Sequence, residues 1–291
     1  MYKLIAIDLD GTLLNSEGMI STKNKEALQK AKEKGIEIIL ASGRSKDSIK
    51  NFALEIGADK YLIAGNGALA YDIQKNKEIY DKSIKKKDVL KILKICEENS
   101  IFYSLHTKSS ILTKSLNYSP LVYHSENLSK PEDKKTSINV IPNLYEYVKS
   151  NKREKYLKIS IQDADKSIFN NIIKKLKQIK NVDVIDVEHS TKKKLKIKNE
   201  EITIQYYYTE ITRKNINKWF AIKAISKKMK INKKYIVAIG DNINDKEMVE
   251  NAALGVVMGE SALAANNIGD IVVADHNSDG VAEAIEKIML Q

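Results

Sequence analysis

Short apolar runs alternate with amphipathic stretches along the first third of the chain. Residues 3–9 (KLIAIDL) read as a continuously apolar strand, the pattern of a parallel strand covered on both faces. Residues 22–34 place Ala27, Leu28 and Ala31 on one face of a helix, and Gly35 stops it. Residues 36–41 form a second buried-type run, 45–56 a second helix, and 61–64 a third strand. Strands alternating with helices predict a parallel α/β sheet.

The texture changes at residue 69. Leu69, Tyr71, Ile73, Ile79 and Tyr80 alternate with polar or small positions, as in an antiparallel hairpin over 69–83. From 84 to 206 the pattern predicts amphipathic helices at 86–99 and 166–180, and strands near 101–114, 156–162, 182–187 and 195–208. Segment 115–135, with Pro120, Pro131 and many Ser and Asn, reads as loop. Tyr206-Tyr207-Tyr208 reads as alternating core and surface positions of a strand, and Cys96 as a core residue of its helix. Simple alternation then returns. Helices are expected at 216–229, 246–251, 262–267 and 280–289, and strands at 236–239, 254–258 and 271–273. The pattern implies an α/β architecture: a Rossmann-like parallel-sheet core domain, residues 1–83 and 207–291, split in sequence by an inserted α+β domain at 84–206.

Composition narrows the setting. A chain of 291 residues fits one large domain or two medium ones, and 43% hydrophobic with 30% charged residues is globular. Cys96 is the only cysteine, which excludes a disulfide framework or a cysteine metal cluster. The first apolar stretch is broken by Asp8 and Asp10, so it is not a signal peptide, and no run reaches the roughly 18 apolar residues of a membrane span. A cytoplasmic protein with no membrane partner is expected; nothing in the sequence defines the oligomeric state, and a monomer is compatible with it. The net charge is +11, yet only Arg44, Arg153 and Arg213 are arginines. Arginine is the residue favoured for bidentate phosphate and base recognition. The lysines are spread along the chain among Asp and Glu, so a solvated lysine-rich surface is expected rather than a nucleic-acid partner. His106, His124, His189 and His276 are scattered without ligand spacing and read as incidental.

Ligands of parallel α/β sheets bind beyond the carboxyl ends of the strands. Those ends carry Asp8, Asp10, Gly11 and Thr12; Ser42, Gly43 and Arg44; Gly65, Asn66 and Gly67; and Gly240, Asp241, Asn242, Asn244 and Asp245. Asp10-Gly11 is also a turn signal. Side chains two apart on extended backbone share a direction, so Asp8 and Asp10 can enter one site. Clustered carboxylates repel unless a cation sits among them, and an oxygen-only set suits Mg²⁺. A carboxylate beside Mg²⁺ can act as nucleophile towards a phosphoryl group. Ser42 with the Gly43 amide can hold phosphoryl oxygens, or Ser42 can cap a helix. Arg44 reads equally as a structural ion pair or a substrate contact. The Asn66 turn reads equally as a plain turn or a substrate edge.

DLDGT (8–12), SGR (42–44), NK (217–218) and GDNIND (240–245) match in order the four motifs of the haloacid dehalogenase superfamily. The chain resembles, more narrowly, its Cof-type sugar-phosphate phosphatases over its whole length, including the closing residues Asn277, Asp279, Gly280 and Val281. The insert falls where that family carries its large α/β cap. The resemblance implies that Asp8 is the nucleophile and that Asp10 is the acid, then the base. It implies that Asp8, the Asp10 carbonyl and Asp241 hold Mg²⁺, with Asp245 supporting the metal site. Ser42, Gly43, Lys218, Asn244 and the Leu9 backbone would bind the phosphoryl group, with Arg44 and Asn66 on the substrate side. Lys218 fits the family's spacing from Glu210-Ile211 better than Lys214, which reads as surface. Trp219 stands where the family has Gly; Glu260-Ser261 and Asn266 also depart from it. The implied activity is phosphatase action on a small phosphorylated metabolite. A phosphomutase and a non-catalytic regulator that binds a phospho-ligand or nucleic acid are the alternatives.

Overall fold

The computed structural model describes residues 1–289 except 129, 186–190 and 198–199. In chain order the first elements are β1 (Leu4–Ile7), α1 (Thr22–Glu33), β2 (Glu37–Ala41), α2 (Lys46–Glu55), β3 (Tyr61–Ala64), β4 (Leu69–Asp72) and β5 (Lys77–Asp81). Then come α3 (Lys86–Glu98), β6 (Phe102–His106), β7 (Ile111–Thr113), α4 (Tyr118–Asn127), β8 (Ile138–Val140), α5 (Leu144–Ser150), β9 (Lys158–Asp163), α6 (Lys166–Leu176), β10 (Val182–Val184), β11 (Thr191–Ile197) and β12 (Glu200–Arg213). The chain closes with α7 (Lys218–Met229), β13 (Ile236–Gly240), α8 (Lys246–Asn251), β14 (Leu254–Met258), α9 (Ala262–Ala265), β15 (Ile271–Val273) and α10 (Gly280–Met289). These elements make two compact units, residues 1–81 with 217–291, and residues 82–216.

The first unit is built on an eight-stranded sheet of order β15-β14-β13-β1-β2-β3-β4-β5. β1 is central and parallel to β13 and β2, in the register Ile7↔Ile239 and Ile7↔Leu40. All four residues of β1 are buried, as a strand covered on both faces requires. The β4–β5 hairpin adds an antiparallel edge. Trp219 is 6% exposed and packs in the apolar core with Ile222, Ile225 and Met248, so this family departure fills core volume. The other departures are local: Ser261 caps α9, and Asn266 bonds the Ala262 carbonyl.

In the second unit, α3, α5 and α6 cover one face of a sheet of order β10-β12-β9-β6-β7-β8, with a core around Leu93, Cys96, Ile159, Ile161 and Phe169. Several sequence expectations are corrected here. Segment 115–135 contains a helix, α4. Pro120 sits in its first turn, where a missing N–H costs nothing, and Tyr118 packs edge-on to Phe102 and Tyr206. Residues 195–208 are not one strand but parts of two, β11 and β12, paired antiparallel. The helix expected to 180 ends at Leu176, and α5 and β8 were not expected. Tyr206 and Tyr207 do not alternate between core and water: Tyr206 packs on Tyr118, and Tyr207 packs on the opposite core beside Phe169.

His106 is no incidental histidine. It is buried, its Nε2 lies 3.1 Å from Ser160 Oγ, and burial together with the Lys158 charge holds it well below the usual histidine range. Buried Lys158 is itself paired with Glu210. His124 is exposed, His276 meets Ser16, and His189 lies outside the described residues. Nor is the lysine excess evenly spread. Residues 82–216 hold 28 Lys and Arg against 16 Asp and Glu, and the remainder 21 against 22. The positive charge thus belongs to the second unit, and the first is close to neutral. Among the described residues no helix is long and apolar enough to cross a membrane.

Candidate active site

The carboxyl edge of the first sheet gathers most of the residues singled out above. Because Ile7 lies beside Ile239, the chain leaves β1 and β13 side by side, and the Asp8 amide donates to the Ile239 carbonyl at 3.0 Å. Asp8 follows one strand and Asp241 the other. Gly11 adopts φ +86°, and a Cβ there would stand 2.5 Å from Asp241 Oδ2. Glycine is therefore demanded twice, by backbone conformation and by space. The turn it makes lets Thr12 Oγ1 donate to Asp241 Oδ1 at 2.7 Å, while the Leu9 carbonyl accepts from the amides of Leu13 and Leu14. Thr12 was not assigned a role from the sequence, though it stands inside DLDGT.

Lys218 opens α7, whose first turn is capped by Asn217 accepting from the Phe220 amide at 2.8 Å. Its side chain is 0% exposed, and Nζ donates to Asp8 Oδ1 at 2.5 Å and to Asp245 Oδ1 at 2.6 Å. Lys214, by contrast, is exposed. Asp245 Oδ2 accepts from the amides of Asp241 and Asn242, both at 3.2 Å. Asp245 thereby ties the loop after β13 to the lysine, and Gly240 has no room for a side chain because the Asp245 Cβ occupies that space.

One oxygen from each of Asp8, Asp241 and Asp245 lies within 4.8 Å of the others. Lys218 is the one cation bonded to them among the described residues. Three carboxylates against one ammonium leave two negative charges. Burial, then the Asp245 charge, push Asp8 well above the usual carboxylate range despite Lys218. The same causes push Asp241 up to about 7, against the Thr12 hydrogen bond and Lys218. Burial works against the charge on Lys218, but Asp245 and Asp8 outweigh it and hold the ammonium above its ordinary value. A divalent cation among these oxygens would restore neutrality, and an all-oxygen donor set suits a hard ion. The Asp10 carboxylate is not in this cluster. It turns to Arg44, whose Nε and Nη2 donate to its two oxygens at 2.8 and 2.5 Å.

Ser42 is buried at the end of β2, and its Oγ accepts from the Arg44 amide at 3.2 Å. It does not cap α2: Ser45 does, because the helix starts three residues later than Ser42 would need. Gly43 lies between Ser42 and Arg44 and is half-buried. Asn66 is buried with φ 55°, and its Oδ1 accepts from Asn244 Nδ2 at 3.2 Å, so the turn after β3 meets the loop after β13. Asn244 Oδ1 is buried and finds no partner among the described residues. The closing residues serve the scaffold: Asn277 accepts from the Ser16 amide, and Asp279 from Ser21 Oγ, tying the loop after β1 to the start of α10.

Comparison with known proteins gives this arrangement a family. The model of haloacid dehalogenase-like hydrolases matches residues 5–285. Phosphatase YwpJ of Bacillus subtilis is 28% identical over 99% of this chain and 100% of its own length. From the same organism, 5-amino-6-(5-phospho-D-ribitylamino)uracil phosphatase YcsE is 26% identical over 99% of this chain and 96% of its own. A solved haloacid dehalogenase-like hydrolase from B. subtilis is 26% identical and superposes with a TM-score of 0.80, covering 98% of this chain and 99% of that one. The chain belongs to the haloacid dehalogenase-like hydrolases and is a Cof-type member of that family.

Proposed function

We propose that this protein is a Mg²⁺-dependent phosphatase that hydrolyses a small phosphorylated metabolite, a sugar phosphate or similar polyol phosphate, through a phosphoenzyme on Asp8. One observation carries the reading: Asp8 is buried against Lys218 inside a carboxylate cluster that is two positive charges short, with Asp10 two residues away. Asp8, Asp241 and the Asp10 carbonyl would hold the ion, with Asp245 holding their scaffold. The ion would supply charge neutralisation for the attack on phosphorus. Asp8 attacks the phosphoryl group. Asp10 gives a proton to the departing alcohol oxygen, then takes one from the water that hydrolyses the phosphoenzyme. Lys218, Ser42, the Gly43 and Leu9 amides and Asn244 surround the phosphoryl oxygens. Arg44 and Asn66 lie at the substrate edge.

The relatives named as phosphatases support the reaction, and the phosphorylated ribitylamino group in one of those names supports a polyol phosphate. A phosphomutase would use the same cluster but return the phosphoryl group to the sugar. The test is phosphate release from a panel of phosphorylated metabolites, with and without Mg²⁺, beside Asp8→Asn. Release that requires both the ion and Asp8 is expected. Turnover by Asp8→Asn would overturn the phosphoenzyme, and an isomerised sugar phosphate without free phosphate would favour the mutase.

A further inference from the structure

Asp10 and Arg44 form a pair whose asymmetry points to a division of labour. The arginine side chain is 5% exposed and the aspartate side chain 48%. The accessible end of the pair is therefore the carboxylate. The guanidinium is fixed from behind. Its Nη1 donates to Ser48 Oγ at 3.4 Å in the first turn of α2, and its Cζ lies 5.7 Å from the Phe52 ring centroid. The Arg44 backbone is held too, with its amide on Ser42 Oγ and its carbonyl accepting from the Gly65 amide at 3.0 Å. A side chain clamped at both ends is poorly placed to follow a substrate. It is well placed to hold a neighbour in one orientation. The fork geometry takes one lone pair from each Asp10 oxygen and fixes the plane of the carboxylate, which a lysine's single point of charge could not do.

We propose that Arg44 is a positioning residue that acts through Asp10: its two-point fork fixes the plane of the carboxylate and aims it at the leaving-group oxygen. This rests on the phosphatase reading. In the first step an Asp8 oxygen bonds phosphorus and the bond from phosphorus to the ester oxygen breaks. That oxygen takes the Asp10 proton, and Asp10 becomes the anion that faces the guanidinium. In the second step water attacks phosphorus, gives a proton to Asp10, and displaces the Asp8 carboxylate. Arg44 therefore matters most where the leaving oxygen most needs a proton.

The test compares kcat/KM for phenyl phosphate and p-nitrophenyl phosphate in the Mg²⁺-loaded wild type, Arg44→Met and Arg44→Lys. The nitrophenolate leaves readily without a proton; the phenolate does not. General acid catalysis contributes about 10²–10⁴-fold, so Arg44→Met is expected to lose about tenfold or more extra activity on phenyl phosphate, with partial recovery on adding guanidinium. Arg44→Lys keeps the charge and most of the volume. It is expected to show the same selective loss and serves if the Met variant does not fold. In an Asp10→Asn background, Arg44→Met should cause no further loss on either ester. Equal losses on both esters with raised KM would mean that Arg44 binds the phosphoryl group, and would overturn the proposal. A lowered melting temperature with an unchanged ratio between the esters would mean a purely structural ion pair, and would also overturn it. A wild-type protein that releases phosphate from neither ester would overturn the phosphatase reading itself, and this role with it.

Discussion

Replacing Lys218 with Met tests the electrostatic account of the site directly. The substitution nearly preserves length and volume but removes an ammonium that is 0% exposed and donates to Asp8 at 2.5 Å and Asp245 at 2.6 Å. Breaking a buried ion pair by removing one partner costs about 3–5 kcal/mol, because the remaining charge stays desolvated. Here two carboxylates lose their shared partner, while Asp241 remains beside them. Urea unfolding can be followed by the fluorescence of Trp219, the only tryptophan, which is buried next to the substituted residue and reports on the first unit alone. With a urea dependence of about 1–3 kcal/mol per molar, the midpoint should fall by about 1 M or more without divalent ions. Added Mg²⁺ should restore more stability to the variant than to the wild type, since the cluster then lacks three positive charges rather than two. Lys223→Met, at an exposed position of α7 in the same unit, is the control and should change stability by less than about 0.5 kcal/mol. A midpoint for Lys218→Met that matches the control would refute the idea that this lysine is the buried counter-charge of Asp8 and Asp245.

Three other outcomes are expected. Between the ordinary carboxylate value of 3.8 and about 7, native metal-free Asp241 keeps a proton that the unfolded chain has lost. Metal-free stability should therefore fall as pH rises through that window, and divalent-ion affinity should rise with pH up to about 7 and then level off; identical binding heats in buffers of different ionisation enthalpy near pH 6 would contradict the proton release. Gly67 has φ +97°, and a Cβ there would strike the Asn217 carbonyl at the start of α7, so Gly67→Ala should cost about 1–3 kcal/mol or more in thermal unfolding and lower phosphate release through Lys218. In the second unit, Lys158→Met leaves Glu210 buried and should cost about 3–5 kcal/mol, while Lys158→Met with Glu210→Leu should recover most of it; a double variant as unstable as the single would show that another partner governs Glu210.

The first sheet was legible because its central strands are buried on both faces, so 4–7, 38–41 and 236–239 are continuous apolar runs. The residues at their carboxyl ends followed from that order, and register brings Asp8 and Asp241 together. What escaped the sequence depends on contacts between distant segments. The helix over Tyr118–Asn127 has the composition of a loop; Tyr118, seated against Phe102 and Tyr206, anchors its start. Ser42 and Ser45 are equally good caps on paper, and only the path of the chain after β2 selects Ser45. The Arg44–Asp10 fork joins residues 34 positions apart, and no local pattern announces it.

The division of the first sheet between two chain segments has a consequence for the order of folding. Its central strand, β1, is flanked on one side by β2 and on the other by β13, a neighbour more than two hundred residues away. A nascent chain can pair β1 with β2 early, but that strand keeps an open edge until β13 emerges. Residues 82–216 are contiguous and contain all the strands of their own sheet, so they are free to close first. Docking of β13 onto β1 then joins Asp241 to Asp8 in a single late event. Chains truncated after residue 235 and released from the ribosome should have a protease-resistant second unit and an unfinished first one, with no phosphatase activity at any Mg²⁺ concentration.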